Sequence, residues 1–177
     1  MNLTGYISLG TNLGDRLTNI DYAIEKVNSI KLFDIIAISN IYESKPMYNI
    51  NQDYYLNLVF KYSTSLNIVT LLDSLQQIEF EMGRKKHRAK NSPRTIDLDI
   101  LTFDNMIVSN DTITVPHPKI NERLFVLLPL ADIDAQFVIP GNNKDILSLI
   151  NSIDNNNDVK LNKLINLEYV KALSYSD

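Results

Sequence analysis

TIDLDILTF, residues 95–103, alternates Ile96, Leu98 and Ile100 with Asp97 and Asp99. A period of two marks an extended strand with one apolar and one acidic face. Upstream, Leu71, Leu72, Leu75, Ile78 and Met82 recur at helical spacing from Ile68, and Gly83 is placed to stop that helix. Before it lie two β-rich runs, FDIIAISNIYE (33–43) and YYLNLVFKYST (54–64), joined by the loop SKPMYNINQD. The chain opens with GYISLG, a strand, followed by turn residues Thr11, Asn12 and Gly14 and a helical stripe at Leu17, Ile20, Ile24 and Val27. The order is β-α-β-β-α-β, which predicts an α+β class and the split βαβ of a ferredoxin-like sheet with helices packed on it.

Downstream, MIVS and TITV, separated by Asn110 and Asp111, predict a hairpin, and PHPKINERLFVLLPLADI predicts a helix opened by its prolines. Beyond that the periodic signal fades. NSIDNNNDVKLNKLI reads as a surface turn before a weakly defined terminal element, about 152–177. A length of 177 residues with 45% hydrophobic and 21% charged residues suits one core, so a single domain over 1–177 is expected. The absence of cysteine excludes disulfides, thiolate nucleophiles and cysteine-ligated metals, and fits a reducing compartment. No leader-like start or bilayer-length apolar run is visible, so a cytoplasmic protein away from membranes is the expectation. The net charge of −4 gives no general field for nucleic acid.

The chemistry centres on the strand already described. Asp97 and Asp99 share a face, and two adjacent carboxylates repel unless they protonate or share a cation. Magnesium, which takes carboxylate oxygens together with phosphates and waters, resolves that conflict; two solvated acids at a strand end are the structural alternative. The twelve residues GRKKHRAKNSPR just before the strand hold six Lys or Arg and no acid. Such a cluster suits a polyphosphate, with Arg84 and Arg94 neutralising the transferring group; a solvated loop or a nucleic-acid patch are the other readings. His117, between Pro116 and Pro118, and Arg123 can add donors to phosphates, although a lone histidine is also a common structural residue. No Walker pattern is present, so this is not a P-loop enzyme. Tyr55 and Asn57, two apart on a strand, put an aromatic face and an amide on one side, suited to a flat heterocycle or to ordinary half-burial.

Together SLGTNLGDR, IYESKP followed by QDYYLN, IEFEMGR, PRTIDLDIL, VPHP and RLFVLLPL resemble the 6-hydroxymethyl-7,8-dihydropterin pyrophosphokinases, over residues 5 to about 132. The resemblance implies a three-layered α/β/α fold and transfer of pyrophosphate from ATP to the pterin hydroxymethyl oxygen in folate biosynthesis, with release of AMP. It implies Asp97 and Asp99 as ligands of two magnesium ions, with Arg84 and Arg94 acting on the transferring group. Gln76, Glu79, Arg84, Lys86, Arg94, Ile100, Thr114, His117 and Arg123 correspond to the family's nucleotide-binding set. Ser44, Met47, Tyr55, Asn57 and Phe125 correspond to its pterin site, with the two rings enclosing the pterin. The sequence departs from the family pattern at Lys86 and Thr112, where arginines are known, at Asn91, where an aromatic residue often stands, and at Tyr48. A monomer acting on small molecules is expected. The competing readings are an inactive pterin- or nucleotide-binding module and a magnesium-dependent nucleotidase.

Overall fold

Strand alternation builds two cores from one sheet. Ile7 and Leu9 of β1 (Leu3–Thr11), Leu58 and Phe60 of β4 (Tyr55–Thr64), and Leu98 and Ile100 of β5 (Asp97–Phe103) point to one face. There they meet Ile20, Ala23, Ile24 and Val27 of α1 (Arg16–Asn28) and Leu71, Leu75 and Ile78 of α2 (Ile68–Glu81). Tyr6, Val59 and Leu101 face the other way, onto Val126, Leu127 and Leu130 of α3 (Leu124–Asp134) and Ile146 and Leu149 of α4 (Ile146–Ser152). Helices thus cover both faces, giving the expected α/β/α layers. Each fully buried Leu or Ile contributes about 1.5–3 kcal/mol through removal of apolar surface from water. The computed structural model describes residues 2–47, 51–83, 92–153 and 159–161.

The order across the sheet is β5-β1-β4-β3-β8, with β2 (Phe33–Ile38) and β3 (Tyr42–Ser44) both paired to β4, and β8 being Val159–Leu161. Every pairing is antiparallel. The ferredoxin-like expectation holds: the first and third strands of the pattern lie side by side and the fourth closes the far edge. A small antiparallel pair, β6 (Val108–Ser109) and β7 (Thr114–Val115), is the expected hairpin. The helix ends follow local chemistry. Asp15 caps α1 by accepting from the N–H groups of Leu17 and Thr18, Asn67 caps α2 through Thr70, and Gly83 at φ +96° takes the left-handed conformation that ends it.

Three sequence expectations change. FDIIAISNIYE forms two strands, because Ser39 bonds Val59 through both its N–H and its hydroxyl, while Asn40 turns aside to donate twice to Asp132 of α3. The prolines of VPHP do not open α3: His117 N–H donates to Leu101 C=O, docking that segment on β5. A short 3-10 turn at Ile120–Glu122 follows before the helix starts at Leu124, with Pro129 inside it. Finally, α4 was not foreseen; it begins at an Asp145 cap bonded to Ser148 N–H.

Candidate active site

The acidic face of β5 is exposed where the α3 layer stops. Across the ladder Gly10 stands opposite Asp97 and Ser8 opposite Asp99, so the neighbours on β1 are small and leave the carboxylates room. Arg94 pairs with Asp97, and Arg123 lies 4.0 Å from Asp99 and 5.5 Å from the centre of the Phe125 ring. Asp97 is 21% exposed at its side chain and Asp99 40%, so both remain reachable from solvent. Burial works against the Arg94 charge, but the carboxylates of Asp97 and Asp99 and the Tyr55 oxygen outweigh it and hold the guanidinium above its ordinary value. Arg94 therefore stays cationic.

Next to this charged end lies a flatter surface. Tyr55 and Asn57 project from β4 on the face shared with Asp97 and Asp99. Asn57 is buried and donates to the Ser44 hydroxyl at 2.9 Å and to Tyr42 C=O at 3.4 Å. The Tyr55 hydroxyl donates to Gln52 Oε1 at 3.4 Å. Gly10 lies beneath: a Cβ there would stand 3.4 Å from Asn57 Oδ1 and 3.9 Å from the Tyr55 ring, so the missing side chain keeps this surface open. The two parts form one cleft of about 750 Å³, partly open to solvent. Ser44, Met47, Tyr55, Asn57 and Phe125 line it together with Arg94, Asp97, Asp99 and Arg123. Sequence reasoning had assigned no role to Ser8, Gly10, Lys45, Pro46 or Gln52, which also line it. Ser8 and Gly10 share one face of the strand read from GYISLG, whereas Lys45, Pro46 and Gln52 lie in the loop SKPMYNINQD, which has no periodicity that says which side chains turn inward.

The remaining expected residues lie around rather than inside this cleft. Glu79, 2% exposed, accepts from Leu98 N–H at 2.9 Å and so ties α2 to β5 between the two aspartates. Gln76 is exposed on α2. Ile100 is 6% exposed and its side chain belongs to the α1/α2 core, leaving main-chain atoms as its route to any ligand. Thr114 pairs with Ser109, their hydroxyls 3.2 Å apart. His117 accepts from Lys119 N–H through Nδ1, which leaves Nε2 to carry the proton of a neutral ring. Burial first, then the nearby Arg123 charge, pushes His117 down to about 4. It is a neutral donor at physiological pH. Arg84 and Lys86, with Tyr48 and Asn91, lie outside the described residues.

Sequence and fold comparisons agree with this arrangement. The family model of 7,8-dihydro-6-hydroxymethylpterin-pyrophosphokinase (HPPK) matches residues 6–135. The chain is 36% identical over 160 residues to a Haemophilus influenzae 2-amino-4-hydroxy-6-hydroxymethyldihydropteridine pyrophosphokinase, covering 90% of this chain and 99% of that protein. It is 42% identical over 136 residues to the Bacillus subtilis protein of the same description, covering 77% and 81%. A folic acid synthesis protein of Pneumocystis carinii is 46% identical over 148 residues, covering 84% of this chain; the chain spans only 20% of that longer protein. In fold, it resembles an HPPK-DHPS crystallised in complex with substrates, with a TM-score of 0.70 and 16% identity over 90% of this chain and 46% of the other. A Plasmodium falciparum HPPK-DHPS gives 0.70 and 17%, over 91% and 45%. The order of the strands, the paired aspartates beside Arg94 and the match over residues 6–135 converge: this chain belongs to the 7,8-dihydro-6-hydroxymethylpterin-pyrophosphokinase family.

Proposed function

We propose that the chain transfers the terminal pyrophosphoryl group of ATP to the hydroxymethyl oxygen of 6-hydroxymethyl-7,8-dihydropterin and releases AMP. The observation that carries this reading is the joining of two unlike surfaces in one cleft, Asp97, Asp99, Arg94 and Arg123 at one end and Tyr55, Asn57 and Phe125 at the other. The first suits a triphosphate and the second a flat, hydrogen-bonding ring.

In the reaction the pterin hydroxyl oxygen bonds to the β-phosphorus, and the bond from that phosphorus to the α–β bridging oxygen breaks. Its electron pair leaves on AMP, while the hydroxyl proton is taken by a carboxylate of the pair. Such transfers depend mainly on positioning and neutralisation of charge. Arg94 and Arg123, the latter between Asp99 and the Phe125 ring, are placed to bind phosphate oxygens; the neutral His117 donates without adding charge. Asn57, fixed by its bonds to Ser44 and Tyr42, presents Oδ1 to the polar edge of the pterin between the two rings.

The donor set fits magnesium. Among the described residues no cluster of three or more His, Cys, Asp or Glu forms a complete cage, and two carboxylates with room for phosphates and waters are what magnesium uses in nucleotide sites. Asp97 and Asp99 would hold two ions, which when bound supply charge neutralisation across the polyphosphate. The deciding experiment incubates the protein with ATP, magnesium and the reduced pterin. AMP formed only when the pterin is present supports the assignment; AMP-free binding would point to an inactive module, and phosphate release without pterin to a nucleotidase.

A further inference from the structure

The floor of the cleft is made of two rows of residues that run across three strands. Asn57, Gly10 and Asp97 stand side by side on β4, β1 and β5, and Val59, Ser8 and Asp99 form the next row. Gly10 brings no side chain to the first row. Val59 is fully buried under the α3 layer, so the second row is the back of the cleft, and there Ser8 stands between an apolar neighbour and a carboxylate. Directly opposed residues on antiparallel strands hold their Cβ atoms about 4.5–5.5 Å apart, so a ligand atom in contact with Asp99 is also within reach of the Ser8 hydroxyl.

That hydroxyl is uncommitted. Asn57 donates to the Ser44 hydroxyl and to Tyr42 C=O, and the Tyr55 hydroxyl donates to Gln52, whereas Ser8 Oγ has no hydrogen-bond partner among the described residues. We propose that Ser8 is a specificity-determining residue for the pterin substituent, its hydroxyl donating to the hydroxymethyl oxygen, an inference that rests on the function proposed above. With the ring between Tyr55 and Phe125, the substituent must extend to the carboxylate pair for its proton to be taken there. An alcohol oxygen has one O–H and two lone pairs. The O–H points to the carboxylate, one lone pair is kept for attack on phosphorus, and the other receives the Ser8 hydroxyl. Together these fix the rotation of the exocyclic carbon–oxygen bond. A 6-methyl substituent satisfies none of them, and a site built to hydrogen-bond a substrate hydroxyl rejects the analogue that lacks it.

The test is a cycle that removes each hydroxyl in turn. Calorimetry measures the affinity of reduced 6-hydroxymethylpterin and of reduced 6-methylpterin, with magnesium and a non-hydrolysable ATP analogue present, for the wild type and for Ser8→Ala. The wild type should prefer the alcohol by about tenfold or more, and Ser8→Ala should shrink that preference by about fivefold, what one neutral hydrogen bond contributes. The loss should fall on the alcohol alone, with 6-methylpterin bound as before. Ser8→Gly, which also lacks the hydroxyl, should give the same result and serves if the alanine variant does not fold. An unchanged preference in the folded variants, an equal loss for both pterins, or a wild type that binds the two alike overturns the inference. A wild type that binds neither pterin and makes no AMP instead overturns the functional reading.

Discussion

At the scale of single residues, the acidic face of β5 carries the sharpest expectation. Asp97→Asn keeps the shape but removes the charge that pairs with Arg94, so pterin-dependent AMP formation should fall by at least about a hundredfold, the loss typical of removing a preorganised electrostatic group. Circular dichroism should stay unchanged, since the side chain lies outside both cores; a variant with near-normal turnover would refute the role. His117 makes a separate prediction in pH. Its folded value near 4 lies below the ordinary 6.5, so between those values the unfolded chain binds a proton that the native one refuses. Its contribution to stability is complete above about pH 6.5 and is lost as pH falls toward 4. Denaturant midpoints of His117→Asn should therefore decline less steeply than the wild type's in that window; parallel curves would contradict the burial argument. Of these residues the sequence revealed the aspartates and Tyr55 with Asn57, because strand alternation fixes their common face. It did not reveal that the Asn12 amide accepts from Arg94 N–H while donating to Gln52 and to Asp53 C=O, because hydrogen bonds between distant segments leave no local period.

Elements were legible where a period was unbroken, as in α2 and the Asp97–Ile100 half of β5, and illegible where tertiary bonds interrupt it. Ser39 and Asn40 divide one β-rich run into β2 and β3 by bonding Val59 and Asp132, and a sequence window sees only the propensity. The same limit hid the irregularity in β5. Ile7 faces Ile100 while Tyr6 faces Thr102, so Leu101 is an extra residue that reverses the alternation and delivers Phe103 to the α1/α2 core. Next to this bulge Tyr62 reaches across Gly5 to donate to Thr102 C=O at 2.9 Å, joining β4 to β5 over β1. A Cβ on Gly5 would lie 2.2 Å from that carbonyl oxygen and 2.5 Å from the Tyr62 hydroxyl. Neither partner has room to retreat, as one is main chain and the other a buried ring. Gly5→Ala should cost about 3 kcal/mol or more in urea unfolding, at the upper end for overpacking, and a loss under about 1 kcal/mol would show that the bulge absorbs the methyl group.

At the scale of the molecule, the sheet is what makes the two cores one unit. β1 and β4 give alternate residues to each, Ile7 and Tyr6 from one strand and Phe60 and Val59 from the other. Neither helical layer can leave without exposing the opposite side of strands that the other still needs, and the cleft lies where those strands emerge from under α3. Leu71 of α2 and Leu127 of α3 are both fully buried, one in each core, so Leu71→Ala and Leu127→Ala should each lose about 2–5 kcal/mol. More telling is the form of the transition. If the sheet couples the layers, far-ultraviolet circular dichroism and tyrosine fluorescence should report a single midpoint in the wild type, and both variants should lower it together. A Leu127→Ala protein in which α3 melts first while the α1/α2 side keeps the wild-type midpoint would mean that the α3 layer docks as a separate unit. The charged end of the cleft, Asp97 with Arg94, would then survive on the sheet while Arg123 and Phe125 departed with the helix, and phosphate binding would outlast pterin binding during denaturation.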